Sequence, residues 1–340
     1  MAESSFTENV SRPRNSTFKR EMLLAGNIEN EIFLKSYTPD SKYSFNNFVI
    51  HTDQKIGSGA FSVIYKCTNK IDKKTYAVKI INKPTLEDIT PDIIYNEISI
   101  HERIIHPHII RMYSHYEDDS NIYCFLEIVN GVSLYQKSRG GLSEKGAHQI
   151  FSQAIKSIKF CHDNNIIHRD VKLENFLYDP ITQIVKLCDF GWATELGSDQ
   201  MLRATICGTY DYMAPEMIQQ QAYDYSVDIW ALGVLLYELI HGYTPFGSGE
   251  DDYAMIFKNV LKFNFKIDKE ITNNCRDLLM KMLNLKPDSR VTINDIVKHP
   301  WFNDWNEEKN KEKEKKEGDN EDKMFYDVLN KVEKKIKLKK

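Results

Sequence analysis

The sequence predicts an α+β protein of two lobes, a small β-rich N-lobe carrying one helix and a larger, mainly α-helical C-lobe. Short strand-like runs rich in Ile, Val, Phe and Tyr begin at Tyr43 and continue to about residue 127. One segment among them, Pro91 to Ile105, instead has helical apolar spacing at Ile93, Ile94, Ile98 and Ile105. Beyond the connection Asn130-Gly131 the periodicity is helical.

Residues 1–42 are polar and rich in Ser, Thr, Asn and Arg, the composition of a flexible extension. Strands start at Phe48-Val49-Ile50 and flank the turn Ile56-Gly57-Ser58-Gly59-Ala60-Phe61-Ser62-Val63-Ile64. Two glycines let backbone N–H groups approach a polyphosphate, although a plain hairpin explains G-x-G equally well. Tyr76-Ala77-Val78-Lys79-Ile80-Ile81 alternates like a strand with one lysine, which would hold phosphates or belong to a solvated face. Glu97, on the helical segment, is placed to be its partner. Ile122 to Val129 reads as a strand entering a short connection.

In the C-lobe, Ala147, Ile150, Phe151, Ala154, Ile155 and Ile158 share one helical face. That helix leads to His168-Arg169-Asp170-Val171-Lys172-Leu173-Glu174-Asn175. Here a carboxylate can meet an attacking hydroxyl while an amide a short turn away holds a metal on nucleotide phosphates. A strand, Ile184 to Cys188, then precedes Asp189-Phe190-Gly191; Ala214-Pro215-Glu216, the apolar helix opening at Asp228-Ile229-Trp230, and Lys286-Pro287-Asp288-Ser289-Arg290 follow in order. His299-Pro300-Trp301-Phe302 marks the end of the domain.

The chain has 340 residues, 41% hydrophobic and 28% charged, enough for a sizeable core in one large domain or two packed lobes. A net charge of -4 leaves no global footprint for nucleic acid or membrane. Six cysteines without C-x-x-C pairing suggest neither a disulfide framework nor a zinc site. The N-terminus lacks signal-peptide blocks and the longest apolar run, Ala231 to Ile240, is too short to span a bilayer. These features lead us to expect a cytoplasmic or nuclear protein without a transmembrane segment.

Taken in this order, the motifs over roughly residues 48–302 resemble those of the eukaryotic protein kinases. Within that family the chain is most similar to the Aurora group. The pointers are Trp192 after D-F-G, the run Arg203-Ala204-Thr205-Ile206-Cys207-Gly208-Thr209-Tyr210-Asp211-Tyr212, and a polar His101 one turn after Glu97. Ala214 stands where Auroras usually have Pro, Leu173 replaces a common Pro, and Asn96 stands where a phosphate-binding Arg often precedes the helix Glu. A calcium/calmodulin-dependent-group kinase is the nearest alternative. A pseudokinase scaffold is the non-enzymatic one, although no catalytic charge is missing.

The resemblance implies a bilobal protein kinase fold at residues 43–302, with an N-lobe to about 127, a hinge at about 127–132 and a C-lobe from about 133. It implies ATP and Mg²⁺ as cofactors. Asp170, Lys172 and Lys79 would be catalytic, and Asn175 and Asp189 would hold metal. The nucleotide would lie among Ile56, Gly57, Ser58, Gly59, Ala60, Phe61, Ser62, Val63, Ile64, Ala77, Lys79, Glu97, Leu126, Glu127, Val129, Glu174, Leu177 and Asp189. Lys172 points to Ser/Thr acceptors and Thr209 supports that choice. Thr205 would be the activating phosphosite, with Arg169 and Arg203 as phosphate partners, though a threonine beside an arginine can also be inert. Asp228 would anchor the catalytic loop and Glu216 would pair with Arg290. Protein substrates with basic residues before the acceptor are implied by Glu174, and Glu250-Asp251-Asp252 either extends that acidity or is a solvated loop. An activating protein on the N-lobe and a spindle or centrosome location follow from Aurora resemblance. Residues 303–340 read as a charged linker and a basic amphipathic tail with Phe325, Val328, Leu329, Val332 and Ile336 at helical spacing. That stripe suits docking on the kinase's own surface, with membrane, nucleic acid or partner as lesser alternatives.

Overall fold

The computed structural model describes residues 40–59, 61–83, 91–196, 209–247 and 252–303. Contacts divide the chain into Met1–Thr38 and Pro39–Lys340, and every described residue lies in the second unit. The readings at residues 1–39, Ala60, Arg203, Thr205, Glu250-Asp251 and the tail fall outside the described residues.

The N-lobe comprises β1 (Phe48–Ser58), β2 (Ser62–Asn69), β3 (Thr75–Asn82), α1 (Pro91–Arg103), β4 (Met112–Glu117) and β5 (Asn121–Leu126). The strands form one antiparallel sheet in the order β1-β2-β3-β5-β4. Side chains alternate across a strand, so β3 sends Tyr76 and Val78 to one face and Lys79 and Ile81 to the other. Tyr76 and Val78 join Phe48, Cys67 and Phe125 in an aromatic-rich cluster. Ile81 packs with Ile94 and Ile98 of α1, which puts Lys79 on the helix side of the sheet.

The structure corrects the apolar stripe read on α1. Ile94, Ile98 and Ile100 are buried, whereas Ile93 and Ile105 are 39% and 44% exposed. A straight helix presents one face to the sheet, and positions 94, 97, 98 and 101 share it. Glu97 and His101 therefore lie inside, each at most 5% exposed.

The C-lobe begins with β6 (Val132–Ser133), α2 (Leu134–Lys137) and α3 (Glu144–Asp163). Before β6, a Cβ at Gly131 would sit 2.0 Å from the Tyr178 carbonyl oxygen, so this hinge position requires glycine. Helix α3 begins ahead of the expected Ala147 because the Ser143 hydroxyl accepts the Gly146 N–H and caps it there. Then come β7 (Ile166–Ile167), β8 (Phe176–Tyr178), β9 (Val185–Leu187) and β10 (Thr194–Glu195). These form a sheet β6-β8-β9 and a pair β10-β7. The remaining helices are α4 (Pro215–Ile218), α5 (Ser226–His241), α6 (Tyr253–Leu261), α7 (Asn273–Met282) and α8 (Ile293–Ile296). Every residue of α5 from Val227 to His241 is buried, as expected of a helix apolar all round. It is the axis on which the lobe is packed, and Gly242, at φ 85°, ends it.

Candidate active site

The turn between β1 and β2 is closed by Gly59 N–H donating to the Ser62 carbonyl at 2.8 Å. Gly57 and Ser58 pair with Ile64 and Val63 across it. Ser62, at the third glycine position, lies in β2 opposite Ile81 of β3. A Cβ on Gly59 would come within 3.1 Å of the Ser62 hydroxyl, which would have to turn aside to admit it.

On β3, Lys79 Nζ lies 2.6 Å from Glu97 Oε1 and 4.0 Å from Asp189 Oδ1. Burial by itself would lower the lysine pKa, but the Glu97 and Asp189 carboxylates outweigh it and hold the ammonium above its ordinary range. Burial likewise pushes Asp189 up, and Lys79 with the Gly191 N–H brings it below the usual carboxylate value. Asp189 adopts φ 64°, a left-handed conformation that costs a non-glycine residue energy and is held by its surroundings. Next to it, the fully buried Phe190 ring sits 4.8 Å from His101 and 5.1 Å from His168. Burial pulls His101 down to about 4, so this ring is neutral at physiological pH.

The loop after β7 supplies the second cluster. Asn175 Nδ2 donates to both Asp170 Oδ2 and the Asp170 carbonyl at 2.8 Å. Its N–H group thus fixes the carboxylate, which keeps the amide oxygen as the group available to a cation. Lys172 Nζ bridges Asp170 Oδ2 and Thr209 Oγ1, both at 2.8 Å. Thr209 also donates to Asp170 Oδ1 at 3.4 Å. Beneath the loop, buried Asp228 accepts the N–H groups of His168 at 2.9 Å and Arg169 at 2.8 Å, and meets His162 Nε2 at 2.9 Å. Burial raises the Asp228 pKa, yet the His162 hydrogen bond and these donors carry it below the ordinary value. Arg169 itself, at φ 65°, donates to the Trp192 carbonyl and the Tyr223 hydroxyl.

Between the lobes, Leu126 of β5 pairs with Ala77 of β3, while Leu177 of β8 pairs with Ser133 of β6. These residues come from the two sheets that the hinge joins. Val129 lies in the connection after β5. The Glu127 carboxylate forms an ion pair with Lys186 of β9 at 2.9 Å, tying the hinge to the C-lobe.

Glu238 escaped sequence reading because it sits inside the apolar run of α5. It is 6% exposed and accepts the Tyr212 hydroxyl, and burial first, then Glu174 and Asp211, push its carboxyl up to about 7. Three carboxylates thus share one region beside the loop that carries Asp170.

This arrangement brings together Lys79, Glu97 and Asp189 on one side and Asp170, Lys172 and Asn175 on the other. Asp189 and Asn175 offer hard oxygen donors that suit a divalent cation completed by phosphate oxygens and water. Among the described residues no three His, Cys, Asp or Glu side chains form a ready-made metal cage.

A strand-rich lobe hinged to a helical one, with these charged groups in the cleft, is the architecture of a protein kinase, and the family model for the protein kinase domain matches residues 50–302. The chain belongs to that family; it is a Ser/Thr protein kinase that uses ATP. It is 32% identical to an Aurora kinase of Patiria pectinifera over 284 residues, covering 82% of this chain and 68% of that one. With an Aurora kinase of Candida glabrata the identity is 35% over 273 residues, 79% and 74% of the two chains. A calcium/calmodulin-dependent protein kinase type 1 of Caenorhabditis elegans is 33% identical over 257 residues, 73% and 72%. No helix among the described residues is long and apolar enough to cross a membrane.

Proposed function

We propose that this chain is an Aurora-like, Arg-directed kinase acting with Mg²⁺, in which Asp170 takes the proton of the acceptor hydroxyl. Asp189 and Asn175 would hold the metal, which would neutralise charge on the phosphates; Lys79, steadied by Glu97, aligns those phosphates, and Lys172 balances charge at the transfer site. The observation that carries this reading is the Asp170, Lys172 and Asn175 cluster beside a formed Lys79–Glu97 pair. Glu174, Glu238 and Asp211 support a preference for arginine before the acceptor, because a guanidinium relieves their mutual repulsion. Thr205 is the activating phosphosite in this reading, with Arg169 and Arg203 receiving the phosphate. Residues 43–302 form the catalytic domain, 1–42 an extension, and 303–340 a linker and basic tail.

The similarity to relatives named Aurora kinases supports the Aurora-like part of this reading; with it we propose a role in chromosome segregation, a spindle or centrosome location, and an activating protein on the N-lobe. A peptide-array phosphorylation assay with ATP and Mg²⁺ tests the reading. Wild type should label Ser and Thr peptides with upstream arginine, Asp189→Asn should label none, and Thr205→Ala should label them weakly. Equal labelling of peptides without arginine would remove the basic preference. The Caenorhabditis elegans relative supports a second reading as a calcium/calmodulin-dependent-type kinase. Stimulation by calcium and calmodulin in the same assay would select it.

A further inference from the structure

The position of Glu97 is decided by what holds α1, and two residues of that helix reach the segment that follows Asp189-Phe190-Gly191. Asn96 Nδ2 donates to the Ala193 carbonyl at 2.9 Å. Arg103 pairs with Glu195 of β10, and its Nε donates to the Ser99 carbonyl at 2.8 Å, which fixes the guanidinium along the helix. Their targets are well anchored. Ala193 is 1% exposed and donates its N–H to Phe190, Thr194 and Glu195 pair with Ile167 and Ile166 of β7, and the neighbouring Trp192 carbonyl is taken by Arg169. Adjacent carbonyls of one dipeptide are thus bound by the helix and by the catalytic loop.

We propose that Asn96 and Arg103 are positioning residues that fasten α1 to residues 193–195 and keep Glu97 on Lys79 whether or not Thr205 carries phosphate. The Asn96 bridge runs from a neutral amide to a carbonyl held in place by its own segment, and the Arg103 bridge ends on Glu195 of β10, so neither contact includes Thr205. Phosphorylation at Thr205 then governs handling of the acceptor protein and leaves nucleotide alignment unchanged. This rests on the reading of Lys79 as the residue that aligns phosphates.

The test uses the full chain, phosphatase-treated and in a Thr205→Ala background, with a fluorescent ATP analogue and Mg²⁺ as the binding probe and peptide phosphorylation as the second readout. Losing the Asn96 hydrogen bond in Asn96→Ala should weaken analogue binding and raise KM for ATP about 3–10-fold, with the peptide KM unchanged. Arg103→Glu should do the same, and Arg103→Glu combined with Glu195→Arg should restore binding, which a fold defect would not. Thr205→Ala alone should leave analogue binding at the wild-type value. The proposal is overturned if both single variants bind the analogue within about twofold of wild type, less than one hydrogen bond is worth. It is equally overturned if the charge swap restores nothing or if Thr205→Ala alone weakens binding. Wild type that binds the analogue but transfers no phosphoryl group would sink the functional reading and leave the binding comparison to decide this one.

Discussion

Arg290 grips Glu216 with both prongs of its guanidinium, Nη1 2.7 Å from Oε1 and Nη2 3.1 Å from Oε2, and neither side chain is more than 1% exposed. Two further N–H groups of Arg290 go to the carbonyls of Ser226 at 2.6 Å and Asn284 at 3.0 Å, and its Cζ lies 5.3 Å from the Trp230 ring centroid. The pair joins α4 to the start of α5 and to the loop before α8. Truncating one partner strands a buried charge, so Arg290→Ala or Glu216→Ala should cost about 3–5 kcal/mol by urea denaturation. Replacing both by Met should cost less than the sum. A single variant within about 1 kcal/mol of wild type would show that the charges are hydrated in solution.

Asp170 gives a prediction on rate. Asp170→Asn keeps the hydrogen-bonding shape but cannot take a proton, so kcat should fall about 10²–10⁴-fold. Nucleotide affinity should not change, because Lys79 and Asp189 are untouched. A matching loss of nucleotide binding, read by titration, would assign Asp170 to binding.

Glu238 gives a prediction on pH. Folding raises this carboxyl from 4.5 to about 7, so its stabilising contribution is full below pH 4.5 and lost as pH rises through about 7. Glu238→Gln should therefore flatten the fall in stability between pH 5 and 8, an effect on the order of 1–3 kcal/mol. KM for an arginine-containing peptide should drop in wild type as pH rises from 6 to 8, while Glu238 ionises, and stay level in the variant. Parallel KM profiles for the two proteins would detach Glu238 from substrate recognition.

Gly131 gives a prediction on packing. Gly131→Ala forces a methyl against the Tyr178 carbonyl, which should cost about 1–3 kcal/mol in stability and loosen the β6–β8 pairing. Hydrogen exchange at Val132 and Ser133 should rise. Wild-type protection there would mean that the hinge backbone shifts freely.

The site was legible wherever chemistry and local sequence coincide. Asp170 and Asn175 are five residues apart in one loop, so a single turn can bring them together, and Asn175 Nδ2 bonds the Asp170 carboxylate. Lys79 was readable as a strand lysine, but a strand alone does not choose its face. The choice came from Tyr76 and Val78 joining the aromatic cluster, which turns Lys79 toward α1. Of the four isoleucines at helical spacing over residues 91–105, Ile94 and Ile98 are buried and Ile93 and Ile105 are not, because the buried face of α1 continues through the polar Glu97 and His101, and apolar periodicity has no mark for a buried charge with its partner on another element. Glu238 was hidden for the converse reason, as one acid among the buried apolar residues of α5.

The sequence by itself determined the two-lobe succession of strands then helices, the order of the motifs and the kinase family. These depend on residue type and on separations of a few positions, which the chain carries intact into any fold. Tertiary structure alone decided that Asn96 binds Ala193, that Glu174 and Asp211 raise Glu238, and that Glu127 ties the hinge to Lys186. Each joins elements far apart in the chain, and only packing sets those distances.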